Sequence, residues 1–410
     1  MSLKKKLVIS IIIASVLFSS YYLLKNLFIK ENAKHVSENE FKPSFLNDKL
    51  ATIYLSASID YQREGSYTIY INKKGELTTS EGDAIELGSI AQGEQMLLKE
   101  NPSEINILGK KNAQFKFKNK VHTGYGQANG YLKNKEIFYT LNNQGFGEKD
   151  YKSLIRWGNT QNFHEQILNG YFVGTGNDED KIYVINQDMD TDRSTFHELN
   201  LEDKPTLRNS GHIKLINEDW EVYSNIIIKD NLAYFILYHT PEDSKDVSFK
   251  VAVFDLEKKK LNGAYLLGNY KSEDQLIPPN EKHFYIKDDI LYHLTANSKI
   301  YTFNTKTMKP EGSYSLEQEE GLNVKFVYLN SDHIYLLNQK KTGEYEISSY
   351  SYQKKTGEYE ISSYSYQKGK RLNSLKIKGL DKILDKNHVS EYDFLMLEQN
   401  RNDILKIFNR

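Results

Sequence analysis

Two histidines in the chain are followed directly by glutamate, at His164–Glu165 and at His197–Glu198. A helix-borne zinc protease motif needs a second histidine four residues after the first, so that both imidazoles lie on one face of the helix. In the first segment that position is Leu168, and in the second segment it is also a leucine. The sequence therefore does not predict a zinc hydrolase at either pair.

Three aspartates alternate at Asp188, Asp190 and Asp192, which resembles the opening of a calcium-binding loop. Such a loop also needs glycine at its sixth position and glutamate at its twelfth. Arg193 and Leu199 stand there instead. Two hypotheses remain open for this segment, a calcium site and an acidic turn between two strands.

Two glycine clusters could suggest a phosphate-binding loop, one at Gly174 and Gly176 and the other at Gly124, Gly126 and Gly130. Neither has the three-glycine spacing and following helix of a dinucleotide-binding motif, so we predict loop or turn glycines. No nucleophile elbow and no Walker loop occurs, and cysteine is absent, which excludes thiolate chemistry and cysteine-ligated metals. We accordingly nominate no catalytic, cofactor-binding or metal-ligating residue, and no cofactor.

The composition points to a β-rich globular domain with no nucleic-acid partner. The 410 residues carry a net charge of −1, so no basic field would attract a polyanion. Thirty tyrosines and nineteen phenylalanines, with only seven prolines, favour β-structure. Abundant tyrosine and asparagine also fit a glycan-binding face, although cross-strand aromatic pairing explains the same residues. A mean hydropathy of −0.63 excludes a polytopic membrane protein.

The N-terminus is predicted to anchor the chain in a membrane. Residues 7–29 are almost wholly apolar and follow three lysines, and a helix of this length spans about 35 Å, enough for the bilayer core. The lysines place residues 1–6 in the cytoplasm and the rest of the chain outside. A cleaved signal peptide is the alternative, but no convincing small-x-small site follows the apolar run. Under both interpretations the domain is exported from the cytoplasm. Residues 30–50 are predicted as a polar linker.

Beyond residue 51 the chain contains a repeated pattern of strand, turn and strand. The second strand closes on an aromatic residue followed by Asp, Asn or Gln, and a lysine-rich turn comes next. The clearest copies begin at Asp230, Asp289 and Asp332. One small sheet cannot bury both faces alone, so such units must stack. The pattern resembles the propeller repeat of many exported bacterial proteins, and this resemblance implies a β-propeller over residues 51–410.

The spacing of the repeat is disturbed by a perfect tandem duplication. Asp255 and Asn304 are 49 residues apart, whereas Asn304 and Gln367 are 63 apart. Residues 340–353 are repeated letter for letter as residues 354–367, and subtracting one 14-residue copy restores the interval of 49. Because 14 is even, either copy can occupy the native strand with the same side chains facing inward. We therefore predict that the other copy is surplus.

Dividing the repeat region by this interval gives about seven units. The fold prediction is an all-β, seven-bladed propeller of four-stranded antiparallel blades, preceded by one N-terminal transmembrane helix. The predicted function is that of a membrane-anchored extracytoplasmic binding module for a protein partner or a cell-envelope polymer. The alternatives are a hydrolase or lyase acting on carbohydrates or lactones at the channel mouth, and a scaffold that spaces other envelope proteins.

Overall fold

The computed structural model describes most of the chain beyond its N-terminal segment. The described residues are 33–58, 65–121, 128–191, 193–202, 204–213, 220–222, 224–241, 246–271, 282–295, 298–318, 322–341, 357–387 and 389–408. They form seven β-sheets. The predicted tail and anchor, residues 1–29, lie outside this part of the chain.

The first strands of the chain and its last strand build one sheet, the closing blade. Its N-terminal members are β1 (Ala33–His35), β2 (Lys49–Ser56), β3 (Ser66–Asn72) and β4 (Leu77–Gly82). The strands of the next three blades, numbered 1 to 3, follow in chain order. They are β5 (Ile90–Gly93), β6 (Met96–Asn101), β7 (Glu104–Gly109), β8 (Ala113–Lys116); β9 (Ala128–Leu132), β10 (Ile137–Phe146), β11 (Tyr151–Gly158), β12 (Phe163–Asn169); and β13 (Tyr171–Asn177), β14 (Ile182–Gln187), β15 (Ser194–Asn200), β16 (Thr206–Ile213).

Blades 4 to 6 continue the same antiparallel meander. Their strands are β17 (Glu221–Val222), β18 (Ile227–Lys229), β19 (Leu232–His239), β20 (Asp246–Asp255), β21 (Lys260–Lys271); β22 (Phe284–Lys287), β23 (Ile290–Leu294), β24 (Lys299–Asn304), β25 (Lys309–Ser315); and β26 (Leu322–Leu329), β27 (Ile334–Lys341), β28 (Gly357–Tyr364), β29 (Arg371–Ile377). In blade 4, β17 and β18 both pair with β19 and together form an interrupted first strand.

The ring is closed by the last strand, β30 (Ser390–Met396), which pairs with β2. Tyr54 lies opposite Asp393 in this antiparallel pair, so the contact joins residues from the two ends of the chain. The closing blade thus takes its innermost strand from the C-terminus and its other strands from the N-terminus. The predicted all-β, seven-bladed propeller of four-stranded antiparallel blades is confirmed, with β1 as an added parallel edge strand.

The blades are less evenly spaced along the chain than a period of 49 residues implies. The innermost strands begin at Ile90, Ala128, Tyr171, Glu221, Phe284, Leu322 and Ser390, at intervals of 38 to 68 residues. Packing in the ring depends on the strands, whereas the connections between them tolerate insertions. The prediction of seven blades was therefore correct although it rested on a 49-residue interval that only some of the blades share.

The repeated sequence motif forms the tight turns of the blades. Phe254 and Phe303 are buried in the sheets that precede these turns. The next residue, Asp255 or Asn304, caps the turn with its side-chain oxygen, which accepts hydrogen bonds from the backbone N–H groups two and three residues later at 2.8–3.1 Å. This side-chain capping of a turn is the reason that Asp and Asn recur there.

Part of the predicted linker belongs to the propeller. Within residues 30–50, β1 pairs in parallel with β4, and two short 3-10 turns follow at Glu38–Glu40 and Phe45–Asp48. Phe41 stacks on Phe45 with ring centroids 3.9 Å apart, and Leu46 is buried with them. Residues 33–50 are therefore an ordered part of the closing blade, because their spaced apolar side chains fill its edge.

Two short helices, which the sequence did not predict, seal the junction between blade 6 and the closing blade. They are α1 (Leu380–Asn387) and α2 (Arg401–Phe408). Leu380, Leu384 and Phe408 join the apolar core that both blades share. Among the described residues, no helix is both long and apolar enough to cross a membrane.

The second copy of the duplication supplies the third strand of blade 6. Strand β28 comes from residues 354–367 and pairs with β27, with Gln339 opposite Tyr359. Tyr359 and Ile361 are buried, as an inward-facing alternation requires. Residues 342–356, which include most of the first copy, lie outside the described residues.

Candidate functional site: the central cavity

A cavity of about 850 Å³ lies on the axis of the ring. This volume is within the range of small-molecule sites, roughly 300–1,000 Å³. Six of the seven blades contribute strand residues to its wall, and the connection that leads into blade 1 contributes Ser89. One lining residue from each of these positions, in ring order, is Ser89, Asn129, Thr175, Ile227, Tyr285, Tyr328 and Asp393. We call the face at which the innermost strands begin the upper face.

Glycines allow the innermost strands to approach one another around this cavity. Gly176 forms a parallel bridge with Ile226, and a Cβ atom at Gly176 would lie 1.9 Å from the Ile226 carbonyl oxygen. At Gly130, a Cβ would lie 2.6 Å from Asn177 Oδ1. The prediction that these are loop or turn glycines is wrong for Gly130, Gly174 and Gly176, which are in strands. At Gly130 and Gly176 a neighbouring atom lies too close for a Cβ atom. Gly124 and Gly126 lie outside the described residues.

One ion pair stands in the cavity wall. Lys282 Nζ lies 2.9 Å from Oδ1 and 2.8 Å from Oδ2 of Asp393, whose side chain is 2% exposed. Asp393 Oδ2 also accepts a hydrogen bond from the backbone N–H of Ile90 at 2.9 Å. The carboxylate is thus held by a cation and an amide, and the charge of Lys282 is balanced locally.

Most of the remaining polar wall consists of tyrosine hydroxyls and side-chain amides. Tyr139 donates to Asn177 Oδ1 at 3.0 Å. Burial raises the pKa of Tyr285, and burial with the nearby Glu398 carboxylate raises the pKa of Tyr328 well above its usual value. Both phenols therefore remain neutral at physiological pH. The O–H of Tyr328 donates to Glu398 Oε1 at 2.9 Å, so its oxygen can still accept a hydrogen bond.

One side-chain amide in the wall has an oxygen atom that accepts no hydrogen bond from the described residues. Asn225 Oδ1 is buried and has no hydrogen-bond partner among the described residues, although Asn225 lines the cavity. A buried carbonyl oxygen without a partner costs about 1–3 kcal/mol.

Aromatic side chains lead from the upper surface to the cavity. Phe146, at the end of β10, is 73% exposed, and its ring centroid lies 5.2 Å from that of Tyr151. Tyr151 lies in turn 4.8 Å from Tyr171, which lines the cavity. We call Phe146, Tyr151 and Tyr171 the aromatic path.

The structure separates the residues that the sequence had suggested for metal chemistry. His164 is on β12 and His197 on β15, so neither pair is on a helix. Asp188 Oδ1 accepts hydrogen bonds from the backbone N–H groups of Asp190 and Thr191 at 2.9 and 3.1 Å, and these bonds lower the pKa of Asp188. This geometry supports the acidic-turn hypothesis. The described residues contain no cluster of three or more His, Asp or Glu side chains that could hold a metal ion.

The sequence carried only a weak signal for the cavity residues. Asn225, Lys282 and Asp393 are far apart in the chain and meet only when the ring forms. The abundance of tyrosine and asparagine was a compositional hint, but it did not distinguish the cavity from the sheets.

Comparison with known proteins agrees with this architecture. The profile of the family described as YycP, beta-propeller domain, matches residues 44–357 and 350–397. The chain belongs to the YycP β-propeller family. One member, the uncharacterized protein YycP of Bacillus subtilis (strain 168), is 23% identical over 386 residues, which cover 89% of this chain and 92% of that protein.

Two solved structures resemble this YycP-family chain at low sequence identity. Apo AztD from Citrobacter koseri gives a TM-score of 0.42 at 11% identity, over 83% of this chain and 88% of that one. Sqt1 from Saccharomyces cerevisiae gives a TM-score of 0.37 at 10% identity, over 71% and 86% of the two chains.

Proposed function

We propose that this chain is an extracytoplasmic binding module that holds its ligand in the central cavity and is tethered to the cytoplasmic membrane through residues 7–29. The tether rests on the apolar run and its preceding lysines. The binding role rests on the cavity, whose volume suits a small molecule or one end of a polymer.

The composition of the cavity wall carries the proposal. The polar part of the wall consists mainly of tyrosine hydroxyls and side-chain amides, beside an apolar part that includes Val222 and Ile226. The ionisable acids and amines among the described lining residues are Glu221, Lys282 and Asp393. Lys282 and Asp393 neutralise each other, and Glu221 accepts a hydrogen bond from Tyr238 at 2.8 Å. A glycoside hydrolase uses one carboxyl group as an acid and another as a base or nucleophile. The engagement of Asp393 with Lys282 and Ile90 favours binding over glycoside hydrolysis.

Photo-crosslinking in intact cells would test the binding role. A benzophenone amino acid replaces Tyr171 at the cavity wall, and the control carries it at Ile167, which is 42% exposed on outer strand β12. Benzophenone inserts into C–H bonds of sugars and peptides alike. We expect light-dependent adducts at position 171 and not at 167. Equal labelling at both positions, or none at 171, would contradict a ligand site in the cavity.

Fractionation would test the tether separately. We expect the full chain to remain with membranes after alkaline extraction, and a chain lacking residues 1–32 to be released. Protease added outside intact spheroplasts should degrade the propeller of the full chain. Protection from that protease would contradict the proposed orientation, and alkaline release of the full chain would contradict an uncleaved anchor.

A further inference from the structure

We infer that the ligand of the central cavity is an uncharged, hydroxyl-rich oligosaccharide that enters across the aromatic path at the upper face. This inference rests on the proposed function and names the chemical class of its ligand. Three independent features of the described residues support it, namely the aromatic path, the donors and acceptors of the wall, and the balance of charge.

The aromatic path has the arrangement that a sugar chain needs. Sugar rings present C–H faces that pack on aromatic rings, and burial of such apolar surface is favourable. Phe146 ends β10 at the tip of the β10–β11 hairpin and is 73% exposed, so its ring is accessible to a sugar that approaches the upper face. From this tip, Tyr151 and Tyr171 continue at centroid spacings of 5.2 and 4.8 Å to the cavity.

The second feature is the set of donors and acceptors that the wall presents. Asn225 contributes a side-chain amide to the wall. The ammonium of Lys282 carries three N–H donors, of which two reach Asp393, and its side chain is 28% exposed. Tyr285 is a neutral phenol that can serve as either donor or acceptor, and Tyr328, whose O–H donates to Glu398 Oε1, can accept. Hydroxyl groups, which donate and accept, satisfy all of these groups together.

The third feature is charge. Asp393 neutralises Lys282, and Glu221 adds one negative charge at the wall of the cavity. An anionic ligand that took Lys282 as its counter-ion would leave the buried Asp393 carboxylate without its cation, which is costly. A neutral ligand leaves the pair intact. The wall therefore selects against acidic polymers.

The inference is tested on the folded propeller with an array of defined neutral and acidic oligosaccharides, followed by calorimetry with the best neutral hexasaccharide. We expect binding to neutral members and not to acidic ones. Phe146→Ala should weaken the affinity at least fivefold because it removes the exposed end of the aromatic path. Ile167→Ala, a matched exposed apolar site on an outer strand, should leave the affinity unchanged.

Each outcome of these measurements either supports or overturns the oligosaccharide inference. Thermal melting first confirms that the variants are folded; Phe146→Ala should fold normally because the ring is exposed. Absence of neutral binding, tighter binding of acidic members, or equal effects of Phe146→Ala and Ile167→Ala would overturn the inference. A protein captured by the crosslinker at position 171, together with a negative array, would overturn the oligosaccharide class while sustaining a ligand site in the cavity. The absence of any crosslinked adduct at position 171 would contradict a ligand site in the cavity.

Discussion

Lys282 on blade 5 donates hydrogen bonds to both carboxylate oxygens of Asp393 on the closing blade, at 2.9 and 2.8 Å. These two blades are not neighbours in the ring, since blade 6 stands between them. The Asp393 carboxylate also binds the backbone N–H of Ile90 at the start of blade 1. One buried carboxylate thereby links three blades at the point where the ring closes.

Removal of the cation from this link should destabilise the ring. Lys282→Met leaves Asp393 buried with only its amide contacts, and we expect the free energy of unfolding to fall by about 2 kcal/mol. The urea midpoint measures this change. Lys306→Met is the matched control, because Lys306 pairs with Asp289 on the surface and its side chain is 74% exposed, where such pairs contribute little. Equal effects of the two substitutions would contradict the role of the link.

A side chain at Gly176 should separate blades 3 and 4. In Gly176→Ala the new Cβ would lie 1.9 Å from the Ile226 carbonyl oxygen, a backbone atom that cannot rotate away. We expect a loss of about 3 kcal/mol, measured by chemical denaturation. At Gly147, the nearest atom to a new Cβ is Lys152 Cε, near the end of a flexible side chain. Gly147→Ala should therefore cost much less, and the reverse order would refute the packing argument.

Acid should destabilise the fold through a buried histidine. His293 is buried beside His283, with ring centroids 5.0 Å apart. Burial and then the charge of His283 lower the pKa of His293 well below its usual 6.5. As the pH falls, the unfolded chain therefore binds a proton at this histidine before the folded chain does. The free energy of unfolding is highest above about pH 6.5 and decreases below that pH, by up to about 1.4 kcal/mol per pH unit. Unfolding curves at pH 7.5, 6.0 and 5.0 measure this.

The control for the acid effect is a histidine at the surface. His293→Gln should flatten the pH dependence between pH 6.5 and 5, whereas His35→Gln should preserve it because the side chain of His35 is 47% exposed. A parent protein with the same stability at pH 7.5 and pH 5.0 would show that the buried histidine does not control stability.

Deletion of one duplicated copy should leave the fold intact. Removing residues 354–367 gives the same sequence as removing residues 340–353. Five residues, Lys-Lys-Thr-Gly-Glu, would then connect Gln339 to Tyr359, which already face each other in the sheet. Two terminal strand pairs would open, and the shorter loop would recover about 1 kcal/mol of closure entropy.

The melting temperature of this deletion variant should change by no more than about 3 °C. A large loss of melting temperature, or a change in the far-ultraviolet spectrum, would show that the additional copy is structural. Replacement of the copy by a Gly-Ser segment of equal length keeps the loop length and serves as the control for sequence.

The sequence predicted the repeating parts of the fold because they depend on local chemistry. Phe254 with Asp255, and Phe303 with Asn304, place a buried ring before a capped turn, and this pattern is visible without coordinates. Helix α1 was missed because eight residues give too short a periodic pattern, and its apolar side chains have meaning only against two blades.

The close contacts of the glycines and the residues of the cavity could not be predicted from the sequence, for a different reason. Gly176 is required by the carbonyl group of Ile226, which is 50 residues further along the chain. Asn225, Lys282 and Asp393 likewise come together only through closure of the ring. Proximity between distant residues is a property of topology, which one sequence does not encode in any local pattern.

The pairing of β2 with β30 also sets the order of events during synthesis. While a ribosome is still translating, strand β2 has no partner on its inner side, because the strand that covers it begins at residue 390 of 410. Blades 1 to 6 can each form their sheets as their strands emerge, but the nascent ring stays open until β30 has emerged as well. A truncated transcript or a stalled ribosome would therefore release a chain with an unpaired edge in its oldest sheet, which is the kind of surface that chaperones and proteases recognise.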